Sequence, residues 1–223
     1  MLRTLEATID ESGRVQLNEP VVLTARSRAL VTIMEEPDAA SECAILSETA
    51  LAEGWSGPDA DEAWKHLADL PNLTNLRLNK TKITGAGFVH LRGLKNLAAL
   101  DLFDTEVNDA AMEFLVQLDG LREICLTRTR VTSASLGKLS NLKQLRHLEI
   151  ATDRITDSGM KPISEIASLQ ELYLYETAIT DAGLSDLKSM TQLKVLWIQS
   201  NAVSSEGVKD LQLALPNCKI KHD

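Results

Sequence analysis

Three residues that could share one chemical site recur at equal spacing: Glu123, His147 and Glu171 stand 24 positions apart, and Cys125 lies two residues beyond the first. A histidine between two carboxylates is a donor set that can hold a metal weakly, and a cysteine near a histidine is the pairing needed for an activated thiolate. Both chemistries need more than donors. A nucleophile needs oxyanion donors and a site closed to water, and these residues alternate along apolar runs that read as an open strand surface. The sequence carries no HExxH, Walker loop, G-x-S-x-G or CxxC pair. The expectation is therefore a chain that is not an enzyme and takes no cofactor or metal, with these groups salt-bridged or hydrogen-bonded at a surface.

A second constellation is aromatic. The run ELYLYETAIT (171–180) holds both tyrosines of the chain, Tyr173 and Tyr175, at alternate positions, with Leu172 and Leu174 between them. On a strand the leucines face a core and the tyrosines face away from it. Trp197 stands 24 residues after Tyr173, so the same spacing that relates Glu123, His147 and Glu171 relates the aromatics.

That spacing runs through most of the chain. Units of 24 residues begin at Leu70, Leu94, Leu118, Leu142, Ile166 and Met190, without insertion. Position four reads Leu in all six units, position seven reads Leu76, Leu100, Ile124, Leu148, Leu172 and Leu196, and position nine reads Leu78, Leu102, Leu126, Ile150, Leu174 and Ile198. Alternation at seven and nine predicts a short strand with its leucines buried. Position twelve is Thr81, Thr105, Thr129, Asp153, Thr177 and Asn201, and a hydroxyl there is expected to reach loop backbone between neighbouring repeats. Position fifteen (Thr84, Asn108, Thr132, Thr156, Thr180, Ser204) is always a helix N-cap type, preceded by Ile or Val and followed four residues later by an apolar side chain. This hydrophobic staple predicts a short helix in each unit, weakened by Gly137 in the third and Pro162 in the fourth.

The pattern LxxLxxLxLxxT followed by ITDxGLxxL resembles the leucine-rich-repeat family over residues 70–213. The resemblance implies an α/β solenoid: a curved parallel sheet inside, short helices outside, and a core closed only by stacking of units. Six strands at ~4.8 Å make a concave face roughly 30 Å wide. Positions six, eight and ten face outward there, which sets Tyr173, Tyr175 and Trp197 side by side, flanked by His147, Glu149 and Glu171, with Phe103 on an earlier strand. Tyr and Trp anchor protein interfaces more than other residues do; they are also good strand formers that cover one another. The expected function is non-catalytic protein recognition through this concave face, with those seven residues as its partner-binding set.

The organisation ahead of the repeats is less regular. RTLEATID, ESG and RVQL read as strand, turn and strand, with a further strand at RALVTIM, so residues 1–34 form a small β-hairpin module, too small for a core of its own and expected to dimerise or dock. The run EATIDESGRVQLNEPVVL resembles small bacterial antitoxin-type (AbrB-like) hairpin modules, which implies an alternative function: a regulator whose residues 1–69 neutralise a small basic toxin held by residues 35–57. Residues 35–57 read as an acidic linker or clasp, and residues 58–69, with Trp64 and Leu67, as a helix capping the first repeat. The repeats end at 213 and a short stub (214–223) closes the chain.

Charge separates these parts. The net charge is −9; residues 1–34 and 70–223 are each balanced, while residues 35–69 hold ten acids and one base, so the whole imbalance lies there. Nucleic-acid binding needs a basic surface and is not expected. Arg122, Arg128, Arg130, Arg146 and Arg154 read as a rim cluster able to attract an acidic partner or residues 35–69 themselves. No run is apolar and long enough to span a membrane, no secretory signal stands at the start, and three widely spaced cysteines, Cys43, Cys125 and Cys218, fit a reducing cytoplasm.

Overall fold

Position seven of one unit meets position seven of the next, and the whole architecture follows. The computed structural model describes residues 7–9, 15–17, 32–33, 42–45 (these four stretches as backbone only), 64, 67–68, 70 and 72–222. In it β5 (Leu73–Arg77), β6 (Ala99–Asp101), β7 (Glu123–Cys125), β8 (His147–Ala151), β9 (Glu171–Tyr175) and β10 (Val195–Gln199) pair in parallel, each with its sequence neighbour, in a register offset of 24 residues. The chain is an α/β leucine-rich-repeat solenoid. Its leucines at positions four, seven and nine are at most 2% exposed throughout, in one continuous core. A unit alone would leave these side chains wet, at about 2 kcal/mol each, so stacking supplies the stability.

The sheet is wider than six strands. At its C-terminal end the stub forms β11 (Lys219–His222), parallel to β10, with Trp197 opposite Lys221. At the other end β4 (Glu42–Ile45) lies parallel to β5, and β3 (Thr32–Ile33) pairs antiparallel with β4. The expected hairpin is present as β1 (Ala7–Ile9) against β2 (Val15–Leu17), a separate two-stranded sheet. The strand expected at RALVTIM joins the repeat sheet as β3 instead of the hairpin, and of residues 35–57 the stretch 42–45 is a strand of that sheet. The side chains and remaining residues on which dimerisation, clasp, toxin-holding and arginine-docking roles would rest lie outside the described residues. Trp64 and Leu67 are buried in the repeat core, Trp64 edge-on to Phe88 at 5.7 Å between ring centroids. A Cβ on Gly87 would lie 2.0 Å from the Trp64 indole, so the glycine makes room for the tryptophan.

The outer segments follow the staple, with differences. The first and third units turn in 3-10 geometry (Ala86–Gly93 and Ser133–Asn141), the third as expected from Gly137. The second unit has the short helix α1 (Met112–Leu115), and in the fourth Pro162 lies in α2 (Met160–Ser164), five residues long and entered through a 3-10 turn at Asp157–Gly159. The helices α3 (Asp181–Asp186) and α4 (Ser205–Ala214) complete the series. Thr132, Thr180 and Ser204 cap with their hydroxyls, whereas Thr84 is displaced from that role by Gly85, which takes φ 88° at the helix start.

The hydroxyls of position twelve correct a second expectation. Thr81, Thr105 and Thr129 donate to the position-nine carbonyl of their own unit (Leu78, Leu102, Leu126) at 2.7–2.8 Å, not to a neighbour. Bonds across units form at position twelve where Asn201 meets the fifth unit: its amide donates to the Leu174 carbonyl there and to Gln199 of its own unit at 2.9 Å each, and its Oδ1 accepts from the Thr177 backbone N–H and hydroxyl. Position sixteen supplies a recurring set of bonds between repeats. Asp109 accepts from the N–H and hydroxyl of Thr132 (2.8 and 2.6 Å), Asp157 from those of Thr180 (2.7 and 2.8 Å), and Asp181 from those of Ser204 (2.8 and 2.5 Å).

This ladder makes stability acid-sensitive. Burial alone would raise the Asp109 carboxyl, but the bonds from Ser135 and Thr132 outweigh it and hold the group below its ordinary value; the bonds from Ser204 do the same for Asp181. A carboxylate depressed in the folded state contributes stability above its unfolded pKa of about 3.9, lost as pH falls through the folded value. The urea midpoint of the wild type should drop between neutral pH and about pH 3. An Asp109→Asn/Asp181→Asn variant should start lower and drop less; equal drops in the two proteins would remove the ladder as the cause.

Candidate functional site

The concave residues of β9 and β10 form one continuous surface. Because Glu149, Tyr173, Trp197 and Lys221 occupy equivalent positions of β8 to β11, they are direct register partners in a single row. Tyr173 lies against Trp197 with ring centroids 5.4 Å apart and an interplanar angle of 50°; Tyr175 meets Trp197 edge to face at 6.1 Å and Tyr173 at 6.2 Å. On the far side the Lys221 ammonium sits 4.1 Å from the Trp197 ring centre. On the near side the His147 ring is 4.8 Å from Tyr173. All three large aromatics are half-buried.

Acidic groups fix this array. Glu171 Oε2 accepts from the Tyr173 hydroxyl at 3.2 Å and lies 3.1 Å from His147 Nδ1. The Thr127 hydroxyl donates to Glu149 Oε1 at 3.3 Å. Desolvation raises the Tyr173 hydroxyl, with the Glu171 charge adding to it; desolvation, then the Glu149 charge, pushes Tyr175 up to about 12. Both phenols are thus held as donors.

Of the seven residues singled out in the sequence, the structure brings six together: Tyr173, Tyr175, Trp197, His147, Glu149 and Glu171. Phe103 stands apart. On its row the next two positions, Thr127 and Ala151, are buried, and Phe103 packs instead under the Arg128 guanidinium at 5.7 Å. Lys221 is the residue sequence reasoning missed. Continuing the count of 24 from Trp197 lands on it, beyond the end of the leucine pattern at 213.

The catalytic alternatives lose their geometry. In the sheet register Cys125 stands opposite Glu149 and His147 opposite Glu123, while the His147 ring turns to Glu171 and Tyr173. Burial pushes the Cys125 thiol up to about 11, with Glu149 and Asp101 adding to it against bonds from Thr127, so the thiol stays protonated at neutral pH. Among the described residues no group of three His, Cys, Asp or Glu is placed to hold a metal. The arginines do not form one cluster: Arg122 and Arg146 precede their strands, whereas Arg128, Arg130 and Arg154 follow theirs, at the opposite rim. Arg130 is paired with Glu106 at 3.3 Å. No helix among the described residues is long and apolar enough to cross a membrane.

The phenols offer a direct check. The phenolate absorbance of the wild type should remain low at pH 10, the ordinary tyrosine midpoint, and Glu149→Gln/Glu171→Gln should shift its rise to lower pH. A wild-type midpoint at the ordinary value would mean that the two carboxylates do not act on the tyrosines.

No protein-family model matches the sequence, and no curated protein sequence matches it. Solved structures do. The chain is similar to internalin C2 of Listeria monocytogenes, with a TM-score of 0.60 and 19% identity over 82% of this chain and 80% of that one. It is also similar to a leucine-rich-repeat protein of Leptospira interrogans, with a TM-score of 0.54 and 22% identity over 70% of this chain and 45% of that one. At such identities the likeness is one of fold, and it agrees with the repeat, the register and the core: the chain has the leucine-rich-repeat fold.

Proposed function

We propose that this protein is a non-catalytic recognition module that binds a protein partner through its concave face, centred on Tyr173, Tyr175 and Trp197. One observation carries the reading: three large aromatics, mutually packed yet half-open, occupy adjacent strands of an exposed sheet and are braced by Glu171 and His147. Bracing lowers the rotamer entropy lost on binding, which is what makes rigid aromatics effective anchors. The open sheet offers a broad shallow surface, suited to a protein more than to a small molecule, which takes an enclosing pocket. Free thiols at Cys125 and Cys218 accord with work in the reducing cytoplasm.

The test is affinity capture with two baits, the full chain and the full chain carrying Tyr173→Ala and Trp197→Ala, both checked for native circular dichroism. A partner identified with the first should bind the second at least about 30-fold more weakly, the 2 kcal/mol of one lost hot spot. Equal retention by both baits would move the function off the concave sheet.

A further inference from the structure

Over β6 to β9 the concave face carries acidic charge, bounded by Arg77 on β5, the register partner of Asp101, and by Lys221 on β11. On β6 to β9 its charged residues are Asp101, Glu123, Glu149 and Glu171, with His147 among them and no lysine or arginine. Elsewhere carboxylates find cations: Glu106 with Arg130 at 3.3 Å, Glu113 with Lys138 at 3.0 Å, Asp210 with Lys188 at 2.5 Å. Among the described residues Asp101, Glu123 and Glu149 pair with none, and Glu171 pairs only with His147. An aromatic stack lies directly against this row, and the stack already shows its preference, for the Lys221 ammonium rests 4.1 Å from the centre of Trp197. Aromatic faces attract cations, and a carboxylate in the same row adds a charge-assisted hydrogen bond.

We propose that the partner enters this face with an arginine-bearing segment, one guanidinium lying on the Tyr173–Trp197 surface and hydrogen-bonding Glu149. The inference rests on the concave-face reading above and adds the chemistry of what binds there. Arginine fits better than lysine because its plane stacks on a ring while its N–H edge meets a carboxylate, and because it is the more weakly hydrated cation. Glu149 is suited to receive it. Thr127 occupies Oε1, and the neighbour in register is Tyr173, not a basic residue. Glu123 continues the acidic surface along the sheet as far as Asp101, beyond which Arg77 ends it, so a further basic residue of the same segment meets charge rather than leucine. Lys221 holds the outer side of Trp197 and competes for its face.

A random displayed peptide library, selected on the full chain and counter-selected on the Tyr173→Ala/Trp197→Ala chain, tests this with the protein intact. Peptides that prefer the wild type should be enriched in arginine, lose about tenfold in affinity with Glu149→Gln, and bind more tightly to Lys221→Met, which clears the ring. Wild-type-selective peptides that are apolar or acidic, or arginine peptides indifferent to Glu149→Gln, would overturn the cationic partner and leave the concave site standing. Weaker binding to Lys221→Met would overturn the seat on Trp197. If no peptide distinguishes the two baits, the concave-face reading fails and this inference fails with it.

Discussion

A leucine on a single short strand can be buried only by the equivalent leucine of the next strand. That dependence forces the rest of the structure. Leu148 is dry because Ile124 and Leu172 flank it in register, and those are dry for the same reason. Any slip of one residue would turn every leucine outward. The period must therefore hold at 24, and holding it has a consequence unconnected with stability: whatever stands between the leucines is also brought beside its counterpart. Tyr173 and Trp197 are neighbours because Leu172 and Leu196 must be.

The turns and helices protect that register. At position eleven Lys80, Asp104, Arg128, Glu176 and Ser200 adopt positive φ between 48° and 57° without being glycine. Such backbone costs on the order of 1 kcal/mol per residue. It is offset because four of them donate their N–H to the position-ten carbonyl of the next unit, carrying the strand ladder one bond further. Thr152, β-branched at the same position of the fourth unit, does not take this conformation. On the outer side the aspartates of position sixteen tie unit to unit, and small residues at position eighteen let the units close. A Cβ on Gly183 or Gly207 would come within 2.4 Å of an aspartate of the preceding unit.

Periodic features were legible in the sequence because period is what the fold selects. The strands, the buried leucines, the outward tyrosines and the cap of Trp64 and Leu67 all follow from counting. What escaped depends on side-chain reach and direction, which counting does not register. Threonine and asparagine look interchangeable at position twelve, yet the hydroxyls of Thr81, Thr105 and Thr129 turn back to their own unit, and bonds across units form where Asn201 meets Thr177 and Leu174. Five arginines close in sequence look like one cluster, yet positions five and thirteen lie at opposite ends of a strand. Cys125 and His147 look like a diagonal pair, but Glu171 and Tyr173 hold the imidazole away from it. Lys221 escaped for the opposite reason: the leucine pattern fades after 213 while the strand register continues.

The same register explains why the aromatics sit where they do. A sheet of parallel strands grows by adding equals, and its last strand has a partner on one side only. Trp197 on β10 would lie almost at that open edge, its outer face wet, had β11 not supplied Lys221 to cover it. On the inner side Tyr173 is backed by His147 and tied to Glu171. The patch is thus closed at both ends by polar groups and open only toward the concavity. An aromatic cluster needed only for cohesion would gain by burying its remaining surface beneath the sheet, where the leucines are. These rings are instead kept on the polar side, packed on one another and next to Glu149, which pairs with no cation among the described residues.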